Sequence, residues 1–170
     1  MNQTTELLLI RHGESEANVG VSTDPDCVLT DAGLEQAGCL GRRLAGYDLG
    51  GFVALTSPYR RAVQTADAIA AATGLVFADE PGVREWGKPA VVRGRAYPEE
   101  PIGDVVRRLR AFLDLYHGRR LVIVSHAAPI ALLTQLAWGE PPDTKGAFWA
   151  GVGNCCLRWL RVTCGPGGER

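Results

Sequence analysis

The sequence predicts an α/β fold: a three-layer α/β/α sandwich around a mostly parallel central sheet. Three observations predict it. Short continuous apolar runs recur along the chain, each bounded by polar or glycine residues. Segments with apolar residues at helical spacing lie between them. The runs carry no alternation, as expected of strands covered on both faces. Strands that alternate with helices in this way build parallel sheets with helices on both sides.

The first run is Leu7-Leu8-Leu9-Ile10, a central strand by this reading. Residues 31–45 follow as a helix, with Leu34, Ala37, Gly41 and Leu44 expected on the buried face. Phe52-Val53-Ala54-Leu55 is the second strand, after Gly50-Gly51. Residues 59–72 repeat Ala62, Ala66, Ile69 and Ala70 at helical spacing. Residues 104–116 place Val105, Leu109, Phe112 and Leu113 on one face. Leu121-Val122-Ile123-Val124 is the third strand, and a helix over 129–138 opens with Pro129, which suits a first turn. Residues 155–162 alternate more and carry Arg158 and Arg161, which fits a strand nearer an edge. Residues 79–101 hold Pro81, Pro89, Pro98 and Pro101 with little periodicity. A long irregular segment in a compact domain is usually functional, often a rim or lid.

At 170 residues the chain suits one domain. It is 46% hydrophobic and 22% charged, with a net charge of -1, which argues against a bulk-basic nucleic-acid binder. No apolar run approaches the roughly 20 residues that span a bilayer. The run at 7–10, with Glu6 before it, is too short for a secretory signal, so a cytoplasmic protein is expected. Five cysteines without a C-x-x-C pair indicate neither a disulfide framework nor a zinc site. Cys155 and Cys156, as strand neighbours, would point to opposite faces. Trp138, Trp149 and Trp159 are expected in the core, Trp86 and Tyr97 at a substrate rim. His117 reads as a helix-end residue. Arg93, Arg95, Arg107, Arg108 and Arg110 read as a solvated face.

The chemistry gathers at strand ends. The first strand ends in Arg11-His12-Gly13-Glu14-Ser15, the second in Thr56-Ser57-Pro58-Tyr59-Arg60-Arg61, and the third in Ser125-His126. Ligands of open α/β sheets bind beyond the carboxyl ends of the strands. Two histidines and at least two arginines therefore reach one edge. Arginine forks match phosphate oxygens, a neutral imidazole is a competent nucleophile, and a helix starting after His126 would aim its first amides at an anion. The inferred ligand is a phosphoryl group. A metal fits poorly beside the arginines, which would repel a cation.

These residues carry a family resemblance. Arg11-His12-Gly13-Glu14-Ser15-Glu16-Ala17-Asn18 resembles the signature of the histidine phosphatase superfamily, in its phosphoglycerate-mutase-like branch. Residues 29–37, Ser57-Pro58-Tyr59-Arg60-Arg61-Ala62-Val63-Gln64-Thr65-Ala66, Ser125-His126-Ala127-Ala128-Pro129-Ile130 and Asn154-Cys155-Cys156 are similar to later blocks, in the family's order. The resemblance implies that His12 is the nucleophile, that Arg11, Arg61 and His126 bind the phosphoryl oxygens, and that Asn18 adds a contact. Glu85 would be the general acid, with Glu80, Glu99 and Glu100 in reserve. The family pattern selects Arg61 over Arg60, which is expected at the surface or rim. Ala127-Ala128 stand where the family often has two glycines, and the Ala127 N–H remains available for phosphate provided no positive φ is needed.

The implied activity is metal-independent hydrolysis of phosphomonoesters through a phosphohistidine, with no cofactor. A phosphoglycerate mutase and a non-catalytic phosphoryl-binding module are the alternatives. The expected partner is a phosphorylated small molecule, with protein phosphohistidine also possible, and neither nucleic acid nor membrane. The domain would span residues 1–170 with a short cap at about 79–103, too short for the closing lid that a mutase needs.

Overall fold

The computed structural model describes residues 3–87, 89–142 and 151–164. Its central sheet is built from β1 (Gln3–Arg11), β2 (Phe52–Thr56), β3 (Phe77–Asp79), β6 (Arg120–Ser125) and β7 (Leu157–Cys164). Their spatial order is β3-β2-β6-β1-β7. β1, β6, β2 and β3 run parallel, and β7 closes the edge antiparallel to β1. Between β3 and β6 lie β4 (Ala90–Val92) and β5 (Arg95–Tyr97), a separate two-stranded ribbon.

Strand parity sorts the core into two halves. Leu7, Leu9, Leu121 and Ile123 point to one face, where α3 (Ile102–Leu115) and α4 (Ala127–Ala137) cover them with Leu109, Phe112, Ile130 and Leu133. Leu8, Ile10, Val122 and Val124 point to the other, under α1 (Asp31–Leu44) and α2 (Arg60–Thr73) with Leu40, Leu44, Ala66 and Ile69. These strand residues are all at most 1% exposed. Each contributes about 1.5–3 kcal/mol of burial free energy, which is why the runs carry no polar face. No helix among the described residues is long and apolar enough to cross a membrane.

Helix ends follow local chemistry. Thr30 caps α1 by accepting from the Gly33 N–H at 3.0 Å, with Asp31 in the first turn and Arg42 and Arg43 in the last. The buried stripe of α1 is Gly33, Ala37, Leu40, Gly41 and Leu44, and Leu34 is 44% exposed. The stripe turns toward its small residues because α1 packs closely on α2. A Cβ at Gly41 would lie 2.9 Å from the Ala68 carbonyl oxygen. α4 begins at Ala127, which places Pro129 within its first turn.

Five expectations are corrected. Cys155 and Cys156 lie in the turn before β7, not on it, because Cys155 adopts a positive φ of 49°. Trp138 and Trp159 are 57% and 41% exposed, and aliphatic side chains fill the core. Trp159 sits on the edge strand against Tyr47 and Phe52. Trp149 lies outside the described residues. Arg108 is not on a solvated face: its side chain is partly buried and grips Glu100 with two hydrogen bonds of 2.9 Å. The segment 79–101 is also more ordered than its prolines suggest. It contains a short 3-10 turn (Pro81–Val83) and the β4–β5 hairpin. Arg93 and Gly94 both take positive φ, the geometry of a tight two-residue hairpin turn. The hairpin buries Ala90, Val92 and Tyr97 against Tyr59, so Tyr97 supports the site from beneath rather than lining its rim.

Candidate active site

β2, β6 and β1 are adjacent and parallel, so the residues that end them converge. His12 follows β1, Ser57 follows β2 and His126 follows β6. The two imidazole rings stand edge to face with centroids 5.1 Å apart. Beside them opens a pocket of about 290 Å³. Its wall includes Arg11, His12, Asn18, Arg61, Glu85 and Trp86, and a loop formed by residues 22–25.

His12 is 3% exposed and held at three points. Its Nδ1 lies 2.6 Å from the Gly13 carbonyl, which can only accept, so Nδ1 carries the proton. Its Nε2 accepts from Arg61 Nε at 3.1 Å, which leaves the ring's lone pair on Nε2. Its carbonyl accepts from Asn154 Nδ2 at 3.1 Å. Burial, and then the charges of Arg61 and Arg11, push its pKa down to about 3. His12 is therefore neutral at neutral pH.

Arg61 and Arg60 are separated by the geometry of α2. The Arg61 side chain is 9% exposed and enters the pocket, and its Nη1 donates to the Pro25 carbonyl at 2.5 Å. The Arg60 side chain is 58% exposed and pairs with Asp26 at 3.3 Å. Asp26 is buried and also accepts from the Arg60 backbone N–H at 2.8 Å, capping α2 from a distant loop. Thr65, one helical turn beyond Arg61, accepts from the Gly13 N–H and donates to the Arg61 carbonyl. Arg11 donates to the Val152 carbonyl at 2.6 Å, while its buried Nε has no hydrogen-bond partner among the described residues.

His126 is fully buried behind the pocket wall. Its Nε2 meets Ser57 Oγ at 2.7 Å, and its Nδ1 lies 3.6 Å from Glu85 Oε2 without a hydrogen bond. Burial, followed by Arg61, drives its pKa well below the ordinary imidazole value. Ala127 occupies the first turn of α4, packed against the core, and is not among the residues lining the pocket. Positive φ among the described non-glycine residues occurs at Arg93 and Cys155, so Ala127 and Ala128 have ordinary helical backbones.

Glu85 reaches the pocket from the segment after the 3-10 turn. Its Oε1 accepts from the Trp86 N–H at 2.9 Å, and its Oε2 lies 3.8 Å from Arg61 Nη2. Burial raises its pKa, opposed chiefly by Arg61. The reserve carboxylates sit elsewhere. Glu80 accepts from Tyr116 and the Gly82 N–H. Glu100 is bound by Arg84 and Arg108, and Glu99 is exposed outside the pocket wall. Asn18 lines the pocket, and its Oδ1 accepts from the Ser15 N–H and Asn154 Nδ2.

Several contributors had no role in the sequence reading. Ser57, Thr65 and Asn154 were visible inside motifs, but their hydrogen bonds depend on strand order. Tyr59 packs under the Arg61 guanidinium, 4.9 Å from ring centre to carbon. The loop at 22–25 had one available signal, a Ser-Thr-Asp-Pro run typical of a structured turn.

Comparison with known proteins identifies the family and the fold. The family model for the histidine phosphatase superfamily (branch 1) matches residues 7–100. A curated relative from Yersinia enterocolitica, named "Probable phosphoglycerate mutase GpmB", is 29% identical over 169 residues, covering 82% of this chain and 78% of its own. A mycobacterial glucosyl-3-phosphoglycerate phosphatase, solved with VO3, superposes with a TM-score of 0.65 at 24% identity, covering 92% of this chain and 90% of that one. A phosphoserine phosphatase from Entamoeba histolytica, solved with phosphoserine, gives 0.69 at 20% identity, covering 95% of each chain. The structural likenesses speak for the fold. The family match spans more than half of the sequence and contains the His12, Arg61 and Glu85 segments, so this chain belongs to the histidine phosphatase superfamily, branch 1.

Proposed function

We propose that the protein hydrolyses phosphomonoesters through a phosphohistidine on His12, without a metal. The observation that carries this reading is the state of His12. It is neutral, with its lone pair on Nε2, beside two guanidinium groups and a carboxyl of raised pKa. In the first step Nε2 attacks phosphorus in line and the bond to the leaving oxygen breaks. Arg11 and Arg61 hold the non-bridging oxygens as charge develops on them. If Ser57 donates its hydroxyl proton to His126 Nε2, then His126 Nδ1 keeps a proton to offer a phosphoryl oxygen. Glu85, protonated, gives its proton to the leaving alkoxide. In the second step Glu85 takes a proton from water, the water oxygen attacks phosphorus, and His12 leaves neutral. The arginines supply the positive charge that a metal would otherwise bring, and they would repel one. Asn18 would add a contact to the phosphoryl group, and the Ala127 amide would act from further back. Residues 79–103 serve as a short cap within one catalytic domain.

The test is phosphate release in EDTA from a panel of phosphomonoesters and a phosphohistidine protein, with wild type and His12→Ala. Turnover that survives EDTA and vanishes in the variant is the expected result. Full activity in His12→Ala would sink the proposal. Phosphate bound without turnover of any ester would favour a binding module.

A mutase reading is favoured by the name of the Yersinia relative. It requires the phosphoenzyme to be shielded from water. Among the described residues the cap amounts to a 3-10 turn and a hairpin with three-residue strands, which favours hydrolysis. Conversion of 3-phosphoglycerate to 2-phosphoglycerate, faster than phosphate release, would reverse that preference.

A further inference from the structure

The pocket that receives the phosphoryl group also carries information about the other half of the ester. Among its described lining residues the cations are Arg11 and Arg61, and both flank His12. A dianionic phosphoryl group neutralises the two of them. The rest of the wall includes Ser22, Thr23 and Asp24 from the 22–25 loop, together with Trp86. Asp24 is held in place: its Oδ1 accepts from the Asp26 N–H at 2.9 Å, and Asp26 is itself anchored to the start of α2. The Trp86 indole N–H already donates to the Glu100 carbonyl at 2.8 Å, so that donor is engaged.

We infer that the alcohol half of the substrate is neutral and hydroxyl-rich next to the phosphoryl group, and that a carboxylate in that position is selected against by Asp24. This rests on the phosphatase reading of the same pocket. Hydroxyl groups can exchange hydrogen bonds with Ser22, Thr23 and Asp24. A carboxylate there meets the Asp24 carboxylate after both arginines are engaged, and like charges brought together are costly.

Glycerol 3-phosphate and 3-phosphoglycerate test this directly, because they differ only in a hydroxymethyl group against a carboxylate. At low ionic strength kcat/KM is expected to favour glycerol 3-phosphate by about tenfold or more. Asp24→Asn keeps the oxygen that accepts from Asp26 and removes the charge. It is expected to narrow the ratio several-fold, through KM for 3-phosphoglycerate. Equal or reversed rates, or a ratio that Asp24→Asn leaves unmoved, would overturn the inference. p-Nitrophenyl phosphate is run alongside with wild type and His12→Ala. Turnover that is absent, or insensitive to His12→Ala, fails the phosphatase reading and this inference with it. His12-dependent turnover with an unselective glycerol pair fails the inference alone.

Discussion

Arg61 Nε lies 3.1 Å from His12 Nε2, and the same guanidinium donates through Nη1 to the Pro25 carbonyl. One side chain thus orients the proposed nucleophile and ties the loop at 22–25 to α2. A lysine has neither the planar fork nor the second fixed donor. Arg61→Lys is expected to lower kcat about 10²–10³-fold, in the range of losing one stabilising donor to a developing oxyanion. Arg60→Ala should stay within a few-fold of wild type, since Asp26 still accepts from the backbone. Steady-state kinetics of the pair checks both. Comparable losses in the two variants would mean that Arg60 shares the phosphoryl site.

The pH dependence follows from two opposite shifts. Burial raises the Glu85 pKa, and in the proposed mechanism Glu85 must be protonated to assist the leaving group. For an alkyl phosphate, kcat/KM is therefore expected to fall as pH rises through the elevated Glu85 pKa. p-Nitrophenolate leaves without a proton, so the aryl ester should lose less. Glu85→Gln should remove the alkyl limb and leave the aryl reaction weakened rather than abolished. An identical profile for both esters would exclude Glu85 as the acid. For stability the sign runs the other way at His12. Its folded pKa of about 3 lies below the ordinary imidazole value, so the unfolded chain binds the extra proton between the two. Stability is then complete above the unfolded pKa and declines as pH falls toward 3, by up to about 1.4 kcal/mol per unit for this group. Urea unfolding at pH 7 and pH 4.5 should show the decline, and His12→Asn should reduce it.

The sequence carried the site better than its supports. His12, Arg61 and His126 were legible because each ends or follows an uninterrupted apolar run, and parallel strands place such ends together. The choice of Arg61 over Arg60 came from motif spacing, and a helix turns adjacent side chains about 100° apart. Trp138 and Trp159 misled because size alone does not decide burial: Trp138 sits at the C-terminal end of α4 and Trp159 on the edge strand β7. The β4–β5 hairpin was hidden by its prolines, although Arg93-Gly94 between short β-prone runs was a usable turn signal. The Glu100–Arg108 contact could not be read locally, since it joins the cap segment to a helix whose facing is set only by packing.

That contact leads to a prediction about Glu85. Arg108 binds both oxygens of Glu100 and donates to the Gly82 carbonyl, and Arg84 pairs with the same carboxylate at 2.9 Å. Trp86, next to Glu85, hangs its indole on the Glu100 carbonyl. The segment that presents Glu85 is therefore clamped to α3 from both sides. Glu100→Gln leaves Arg84 and Arg108 partly buried beside a neutral amide, which costs stability as a broken buried pair. It should also loosen Glu85. The expected signature is a larger loss on alkyl than on aryl phosphates, resembling Glu85→Gln, whereas a purely structural defect would lower both equally.

A last prediction concerns the fold beneath His12. α1 approaches the strand end backbone to backbone, and a Cβ at Gly33 would overlap the Glu14 carbonyl. That carbonyl accepts from the Thr30 N–H, and the Glu14 side chain accepts from Thr30 Oγ1 at 2.7 Å, so neither partner can move freely. Gly33→Ala is expected to destabilise by about 3 kcal/mol, at the upper end for overpacking, and to lower activity by displacing Gly13 and His12. Gly38, on the same helix, is the control. A Cβ there meets only the tip of Arg42 at 3.5 Å, so Gly38→Ala should gain about 0.5–1 kcal/mol from helix propensity. Thermal unfolding of the two variants should move in opposite directions. A Gly33→Ala protein as stable and active as wild type would mean that α1 can retreat from the strand end without disturbing the nucleophile.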